Sequence, residues 1–428
     1  MNVAVIGGGY AGMAAAVTLA ATGVPLTVFE AGKTLGGRAR RVDHPELTLD
    51  NGLHILIGAY RETLRLMELV GAAPDRHLLR VPFNWEIHSR FSLGAARLPP
   101  PLHLLAGLLA ARGVTLGERL AAARFVLAMR RAQFTLPQDT SVASLLERER
   151  QGAGVVRLLW TPLCVSALNT RPEAASAQVF LNVLRDSFTA DRMASDLLLP
   201  RVDLSALFPD PARAWVEARG SAVLLGQRVT GIDPGAQGFS VRYGTHAAFF
   251  SHVICALPPH QVKAFLIGVS ALAELAEAIE NLDYQPIYSV YLRYPPSIRL
   301  PAPMLGFDSA LLQWAFDRGA LCGHDGLIGI VISAKGEHEE HAHGELARRV
   351  HEELQRQLGP LPPPSWTQVI AEKRATFACT PGLVRPAQQT PLRNLLLAGD
   401  YTAGDYPGTL ETAVRSGISA ANMVIGKA

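Results

Sequence analysis

"NVAVIGGGYAGMAAAVTLAATGVPLTVFE", residues 2–30, decides how this chain folds. Asn2 to Ile6 is a short run of Val, Ala and Ile suited to a buried parallel strand, and it leads directly into glycines. Gly7, Gly9 and Gly12 fit the dinucleotide fingerprint. In that pattern one glycine makes the tight turn, one lets the backbone approach a pyrophosphate, and one lets the next helix pack on the strand. Residues 11–22 are Ala-rich and stop at Gly23, which predicts a helix whose N-terminus offers free N–H groups to phosphate. "PLTVFE" predicts a second strand ending at Glu30, 18 residues past Gly12, where a carboxylate accepts both hydroxyls of an adenosine ribose.

The rest of the chain narrows the setting. Its 428 residues exceed one ordinary core, so two intertwined domains are expected. Apolar residues make up 49%, yet no uninterrupted apolar stretch reaches the roughly 18 residues a spanning helix needs. A soluble or surface-lying protein is expected. Forty basic and 37 acidic residues give a net charge of +3 with no long basic run, which argues against nucleic acid as partner. Cys164, Cys255, Cys322 and Cys379 are far apart and form no CxxC, as in a reducing compartment without structural zinc. His338, His341 and His343 in "KGEHEEHAHGEL" read as a solvated face, and no metal is expected. The start lacks a charged n-region and cleavage site, so the expected location is cytoplasmic, with peripheral contact to the inner membrane face left open.

The far end answers the beginning. Leu395 to Ala398 predicts a buried strand, and "GDYTAGDYPGTLETAVRSG", 399–417, follows it with Gly399-Asp400, a Tyr/Gly/Pro loop and a helix starting near Thr409 and Leu410. Ligands bind outside the carboxyl ends of such strands. A helix N-terminus there favours negative charge on a bound ring. Between these ends, residues 220–262 alternate short strands with glycine turns and finish in the apolar run Val253 to Leu257.

With "AGKTLGGRAR" after Glu30 and "LDNGLHILIGAY" beyond it, the arrangement resembles the flavin-dependent amine oxidase and carotenoid desaturase superfamily. That resemblance implies an α/β fold, an FAD/NAD(P)-binding Rossmann-like domain with an interleaved α+β substrate domain. It implies FAD as cofactor, with Gly36, Gly37 and Arg38 helping to hold it, Val229 binding the adenine side through its backbone, and Asp400 reaching the ribityl chain. Residues 1–78, 208–280 and 385–428 are then the FAD-binding segments, and 79–207 with 281–384 the substrate- and membrane-facing ones.

Over nearly its whole length the chain further resembles the hydroxysqualene dehydroxylases, through "DNGLHILIGAY", "WTPLCVSALNT", "QWAFDRG" and "AGDYTAGDYPGTLETAVRSG". This implies a long apolar isoprenoid substrate and reductive loss of its hydroxyl to give squalene in hopanoid biosynthesis; an external electron donor is expected for a different reason. A second nucleotide fingerprint is absent, since "GAGVVRLLW" lacks the third glycine. Trp160, Phe180, Phe188, Trp314 and Phe316 read either as core or as walls of an apolar channel. An oxidative carotenoid or squalene desaturase is the alternative, followed by a non-catalytic flavoprotein and an amine oxidase. Against the last, Thr409 stands where amine oxidases place one cage aromatic, and Tyr288 roughly where they place a lysine.

Hydroxide leaves poorly and needs an acid. The candidates are His54, Tyr60, Asp405 and Tyr406. From Arg97 to Arg131, six Arg and one Glu flank a run without formal charge, Leu98 to Ala111, which reads either as a buried helical layer or as an apolar helix with a basic rim for an anionic bilayer.

Overall fold

The computed structural model describes residues 1–189 and 191–426, Phe188 and Thr189 by backbone alone. Lys427 and Ala428, the end of the third expected FAD-binding segment, lie outside the described residues.

The chain opens with β1 (Val3–Ile6), α1 (Tyr10–Ala20) and β2 (Leu26–Glu30), then α2 (Arg61–Leu69). Every residue of β1 is buried, which explains its continuous rather than alternating apolar pattern. A second region begins with β3 (Asn84–Ile87) and β4 (Phe91–Gly94), followed by α3 (Leu102–Ala110), α4 (Leu116–Arg131) and α5 (Ala177–Thr189). The chain then returns through β5 (Ala222–Leu225), the antiparallel β6 (Val229–Gly235), β7 (Gly238–Tyr243) and β8 (His246–Phe250), and β9 (His252–Cys255). It leaves again for β10 (Tyr284–Arg293), β11 (Met304–Gly306), β12 (Trp314–Asp317), β13 (Leu327–Ser333), α6 (His343–Leu358) and β14 (Trp366–Phe377). β15 (Leu395–Leu397) and α7 (Leu410–Val424) complete it.

The first sheet has the parallel order β5-β2-β1-β9-β15, so β1 sits between segments drawn from three parts of the sequence. Helices α1 and α7 pack on each other and bury Met13, Val17, Val414 and Ala421 against Val3, Val5, Val28 and Leu396. The second sheet runs β14-β10-β13-β12-β11-β3-β4, with α6 covering Val290 and Ile330 through Leu346, Val350 and Leu354.

Two expectations need correction. The uncharged run Leu98 to Ala111 is helical only over Leu102–Ala110, and α4 starts anew at the Thr115 N-cap, whose hydroxyl accepts from the Glu118 N–H in a capping box. His338 is not on a solvated face. It is buried, its ring edge-on to Tyr288 at 4.8 Å, while His343 remains exposed. Among the described residues no group of three or more ligating side chains is placed to hold a metal ion, and no helix is long and apolar enough to cross a membrane.

Asp50 joins the two regions. Its Oδ2 lies 3.0 Å from Arg318 Nη2, its Oδ1 accepts from Leu204 N at 2.8 Å, and its carbonyl accepts from Tyr291 Oη at 2.8 Å. Both charged side chains are almost wholly enclosed, so neither has water to fall back on if its partner is removed. Arg318→Ala is therefore expected to lower unfolding free energy by about 3–5 kcal/mol. Denaturant unfolding checks this; a loss below about 1 kcal/mol contradicts a structural role for the pair.

Candidate active site

The turn after β1 is shaped by what cannot fit. Gly7 has φ +110° and a Cβ there would stand 2.6 Å from Ala256 O, while a Cβ at Gly12 would stand 1.9 Å from Gly7 O. Any side chain at either position breaks the strand-to-helix turn. At Gly9 a Cβ would have Gly37 Cα as its nearest neighbour, at 3.7 Å, an ordinary contact. The bare backbone at Gly9 therefore faces open space, and that space is a cavity of about 1020 Å³.

The cavity gathers the separated segments. Gly7, Gly9, Glu30, Gly36, Gly37 and Arg38 line it from the N-terminal part. Val229 enters at the start of β6, and Gly399, Asp400, Thr409 and Leu410 close it from the C-terminal part. The N-termini of α1 and α7 both open into it, so two sets of unpaired N–H groups and two positive dipole ends meet in one hollow. Thr409 caps α7 by accepting from Thr412 N at 3.2 Å.

Glu30 spans two loops: Oε2 accepts from Gly8 N at 2.8 Å and Oε1 from Gly32 N at 2.7 Å. A carboxylate has about four acceptor positions, so two remain for hydroxyls. Arg38 reaches across the cavity floor. Its Nη2 pairs with Asp400 Oδ1 at 2.5 Å and its Nη1 donates to Ala375 O at 2.7 Å. Asn51 Nδ2 fixes the Arg38 carbonyl at 3.0 Å. Tyr401 faces the same space with its hydroxyl buried and without a partner, and the Nδ1 of His260 is in the same condition. Buried polar atoms left so need a ligand or water. A long hollow with a bare-backbone turn, a two-sided carboxylate, two helix N-termini and orphaned donors fits a flavin dinucleotide.

A second, narrower cavity of about 180 Å³ adjoins the first. Ile55, Tyr60, Ser166, Ala167 and Thr409 line both, forming the wall between them. Trp85, Leu104, Leu108, Leu159 and Trp160 supply most of its apolar lining.

The four sequence-derived acid candidates part company here. His54 lines the main cavity, its Nδ1 2.7 Å from Gly52 O, and burial pulls its pKa down, so it stays neutral. Tyr60 is in the shared wall; burial pushes its hydroxyl up to about 12. Tyr406 lines the narrow cavity. Asp405 lines neither: its side chain is exposed and its carbonyl is held by Asn182 Nδ2 at 2.8 Å, so it is withdrawn as a proton donor. Tyr288 also lines neither cavity. Its strand presents Ile287 to the main one instead.

Residues the sequence did not single out are Tyr401, His260, Asp186 and Arg415. For Asp186 a signal existed, because Arg185-Asp186 interrupts an otherwise uncharged run from Ala174 to Leu184.

Comparison with known proteins agrees with this geometry. The profile of the family described as flavin containing amine oxidoreductase matches residues 10–425. The chain belongs to this family. Its cofactor is FAD and it is an FAD-dependent oxidoreductase. Hydroxysqualene dehydroxylase of Rhodopseudomonas palustris is 30% identical, the match covering 99% of this chain and 98% of that protein. The enzyme of the same name from Sinorhizobium fredii is 27% identical, covering 100% and 99%. Among solved structures, an oxidoreductase from Methanosarcina mazei superposes with a TM-score of 0.77 at 14% identity, covering 98% of this chain and 99% of that one, which shows the fold.

Because the space beside Gly9 is open, Gly9→Val should fold and yet fill the place a pyrophosphate needs. Purified variant is expected to keep the thermal stability of the wild-type apoprotein while losing its yellow colour. Full flavin content contradicts the assignment.

Proposed function

We propose that this flavoenzyme reductively removes the hydroxyl of hydroxysqualene to give squalene for hopanoid biosynthesis, with electrons from a separate donor. The observation that carries the reading is the apolar cavity sharing a wall with the dinucleotide cavity. The similarity to hydroxysqualene dehydroxylases over the full length supports the substrate.

In this reading Gly7 and Gly9 face the pyrophosphate while Gly12 lets α1 close onto their turn, Glu30 holds the ribose, and Gly36, Gly37 and Arg38 the flavin side of the dinucleotide. Val229 meets the adenine side, Gly399 and Asp400 the ribityl chain, and Thr409 with Leu410 the pyrimidine edge. Bound reduced flavin supplies a hydride. The chain itself orients the isoprenoid, keeps water from a cationic centre through Leu104, Leu108, Leu159 and the two tryptophans, and donates one proton to the departing oxygen. The phenols of Tyr60 and Tyr406 line the apolar cavity beside the carboxylates of Asp186 and Glu411, and one of the two phenols is the proposed acid. At about 180 Å³ the cavity encloses only one portion of a C30 chain.

The wall of that cavity also forms an unusual surface. α3 turns Leu104 and Leu108 inward but leaves Leu102 and Leu109 exposed, and α4 presents Leu116, Leu120 and Leu127 on one exposed face with Arg124 and Arg131. Apolar side chains ringed by arginine suit the headgroup boundary of an anionic bilayer, where a polyprenyl substrate dissolves. The surface is proposed as the docking face.

Anaerobic incubation with hydroxysqualene and a flavin reductant should yield squalene by mass spectrometry. Conjugated double bonds introduced into an isoprenoid instead, or no squalene while the bound flavin is reduced, overturn the reading. Vesicles test the docking face: sedimentation with phosphatidylglycerol vesicles should be lost in the double variant Leu116→Asp, Leu120→Asp, and undiminished sedimentation contradicts it.

A further inference from the structure

The narrow cavity is almost wholly hydrocarbon, so the place where it can hold an alcohol oxygen is restricted. Most of its polar side chains have at least one protein partner, in single, isolated contacts or helix caps. Ser166 Oγ accepts from Trp314 Nε1 at 2.9 Å, Ser187 Oγ donates to Val183 O at 3.0 Å, and Ser195 Oγ donates to Arg192 O at 3.1 Å. Glu411 caps α2, its carboxylate accepting from Glu62 N at 3.1 Å, Thr63 N at 2.9 Å and Thr63 Oγ1 at 2.7 Å, and it also pairs with Arg415 Nε at 2.7 Å. Thr409 caps α7.

One corner differs. Tyr406 and Asp186 both line the cavity, and Tyr406 Oη donates to Asp186 Oδ2 at 2.5 Å. The same hydroxyl accepts from Arg185 Nη2 at 3.0 Å, and Arg185 Nε lies 3.1 Å from Asp186 Oδ1. The Arg415 guanidinium lies 5.3 Å from the centre of the Tyr406 ring. The loop carrying Tyr406 is pinned from behind by Arg385 Nη1, which donates to the carbonyls of Asp400 at 3.2 Å and Tyr406 at 3.0 Å. A phenol, a carboxylate and two guanidinium groups thus converge at one end of a hydrocarbon slot.

We infer that this corner is the subsite for the substrate's hydroxyl, with Tyr406 as the group that protonates it and Asp186 and Arg185 as the groups that position Tyr406. The inference rests on the dehydroxylation reading above. An alcohol can take the place of the direct Tyr406–Asp186 contact, its oxygen accepting from the phenol and its own O–H donating to the carboxylate, so no buried polar group is stranded. A hydrocarbon makes neither bond.

The step balances. The Tyr406 O–H bond breaks and its proton goes to the substrate oxygen; the C–O bond breaks with its electron pair on oxygen, and water departs. The hydride that the carbon then needs is the one a bound reduced flavin would supply. The phenolate, held meanwhile by Arg185 and Arg415, recovers a proton from solvent beside Asp186, whose side chain is 30% exposed. Burial raises both phenols, so geometry separates them: the neighbours of Tyr60, Thr409 and Glu411, are already engaged, whereas Tyr406 faces a carboxylate that also lines the cavity.

Oxidised holoprotein has no hydride to give, so it binds without turnover, and Trp85 and Trp160 in the cavity wall report occupancy by fluorescence. Wild type should bind hydroxysqualene roughly tenfold more tightly than squalene, the worth of one or two hydrogen bonds. Tyr406→Phe should bring the two affinities within about twofold by weakening the alcohol alone, and Asp186→Asn should reduce the ratio in the same direction. Bound-FAD absorbance selects folded protein in each case. A wild-type ratio near one, or a ratio unchanged in whichever of the two variants retains FAD, overturns the inference. Wild type that makes squalene but shows no alcohol preference sinks the subsite and spares the reaction. Wild type that prefers the alcohol yet makes no squalene sinks the reaction and spares the subsite.

Discussion

Arg38 and Asp400 are 362 residues apart in sequence, and their ion pair at 2.5 Å holds the Gly36-Gly37 loop against the loop that begins at Gly399. Asp400 is nearly enclosed while Arg38 keeps some contact with solvent, a geometry in which the pair fixes two backbones more than it adds net stability. The pair is possible because β15 lies beside β9 and β9 beside β1, which puts the carboxyl ends of all three strands on one edge. Everything at the main cavity follows from that edge. The glycines bring bare backbone, the two helices bring their N-termini, and the chain must leave and return twice to assemble them.

The departures are what create the second cavity. Residues 84–189 and 284–377 build a sheet and a helical layer that close over the dinucleotide edge, and the gap left between them is lined by leucine and tryptophan. Its wall with the main cavity is thin, made of residues such as Tyr60 and Thr409 that belong to both. A hydrocarbon slot set against a redox cofactor suits a substrate with no charge to grip, where orientation and exclusion of water do most of what the protein contributes. The polar corner at Tyr406 then supplies what the hydrocarbon walls cannot.

Much of this was written locally in the sequence. Strand, glycine turn, helix and Glu30 lie within one stretch of 30 residues, and their spacing is dictated by a backbone that must bend sharply and stay bare. The strand before Gly399 and the helix after Thr409 were legible for the same reason. What escaped depends on packing between distant segments. Asp405 and Tyr406 are neighbours in the chain, yet one points to solvent and the other into the slot, and only the position of Asn182 and Arg385 against their loop decides which. His338 reads as solvated because its neighbours are charged, whereas Tyr288 on β10 covers it. The break between α3 and α4 falls at residues 111–115, at the end of the uncharged run, where Gly113 and the capping Thr115 carry the signal.

The account stands on a redox ring and an apolar alcohol meeting across that shared wall. An anaerobic titration reads this meeting directly: protein with its flavin reduced, mixed with hydroxysqualene in the absence of any other acceptor, and followed by flavin absorbance. The account predicts that the oxidised spectrum returns with one squalene formed per flavin. A flavin that remains reduced in the presence of bound alcohol contradicts it.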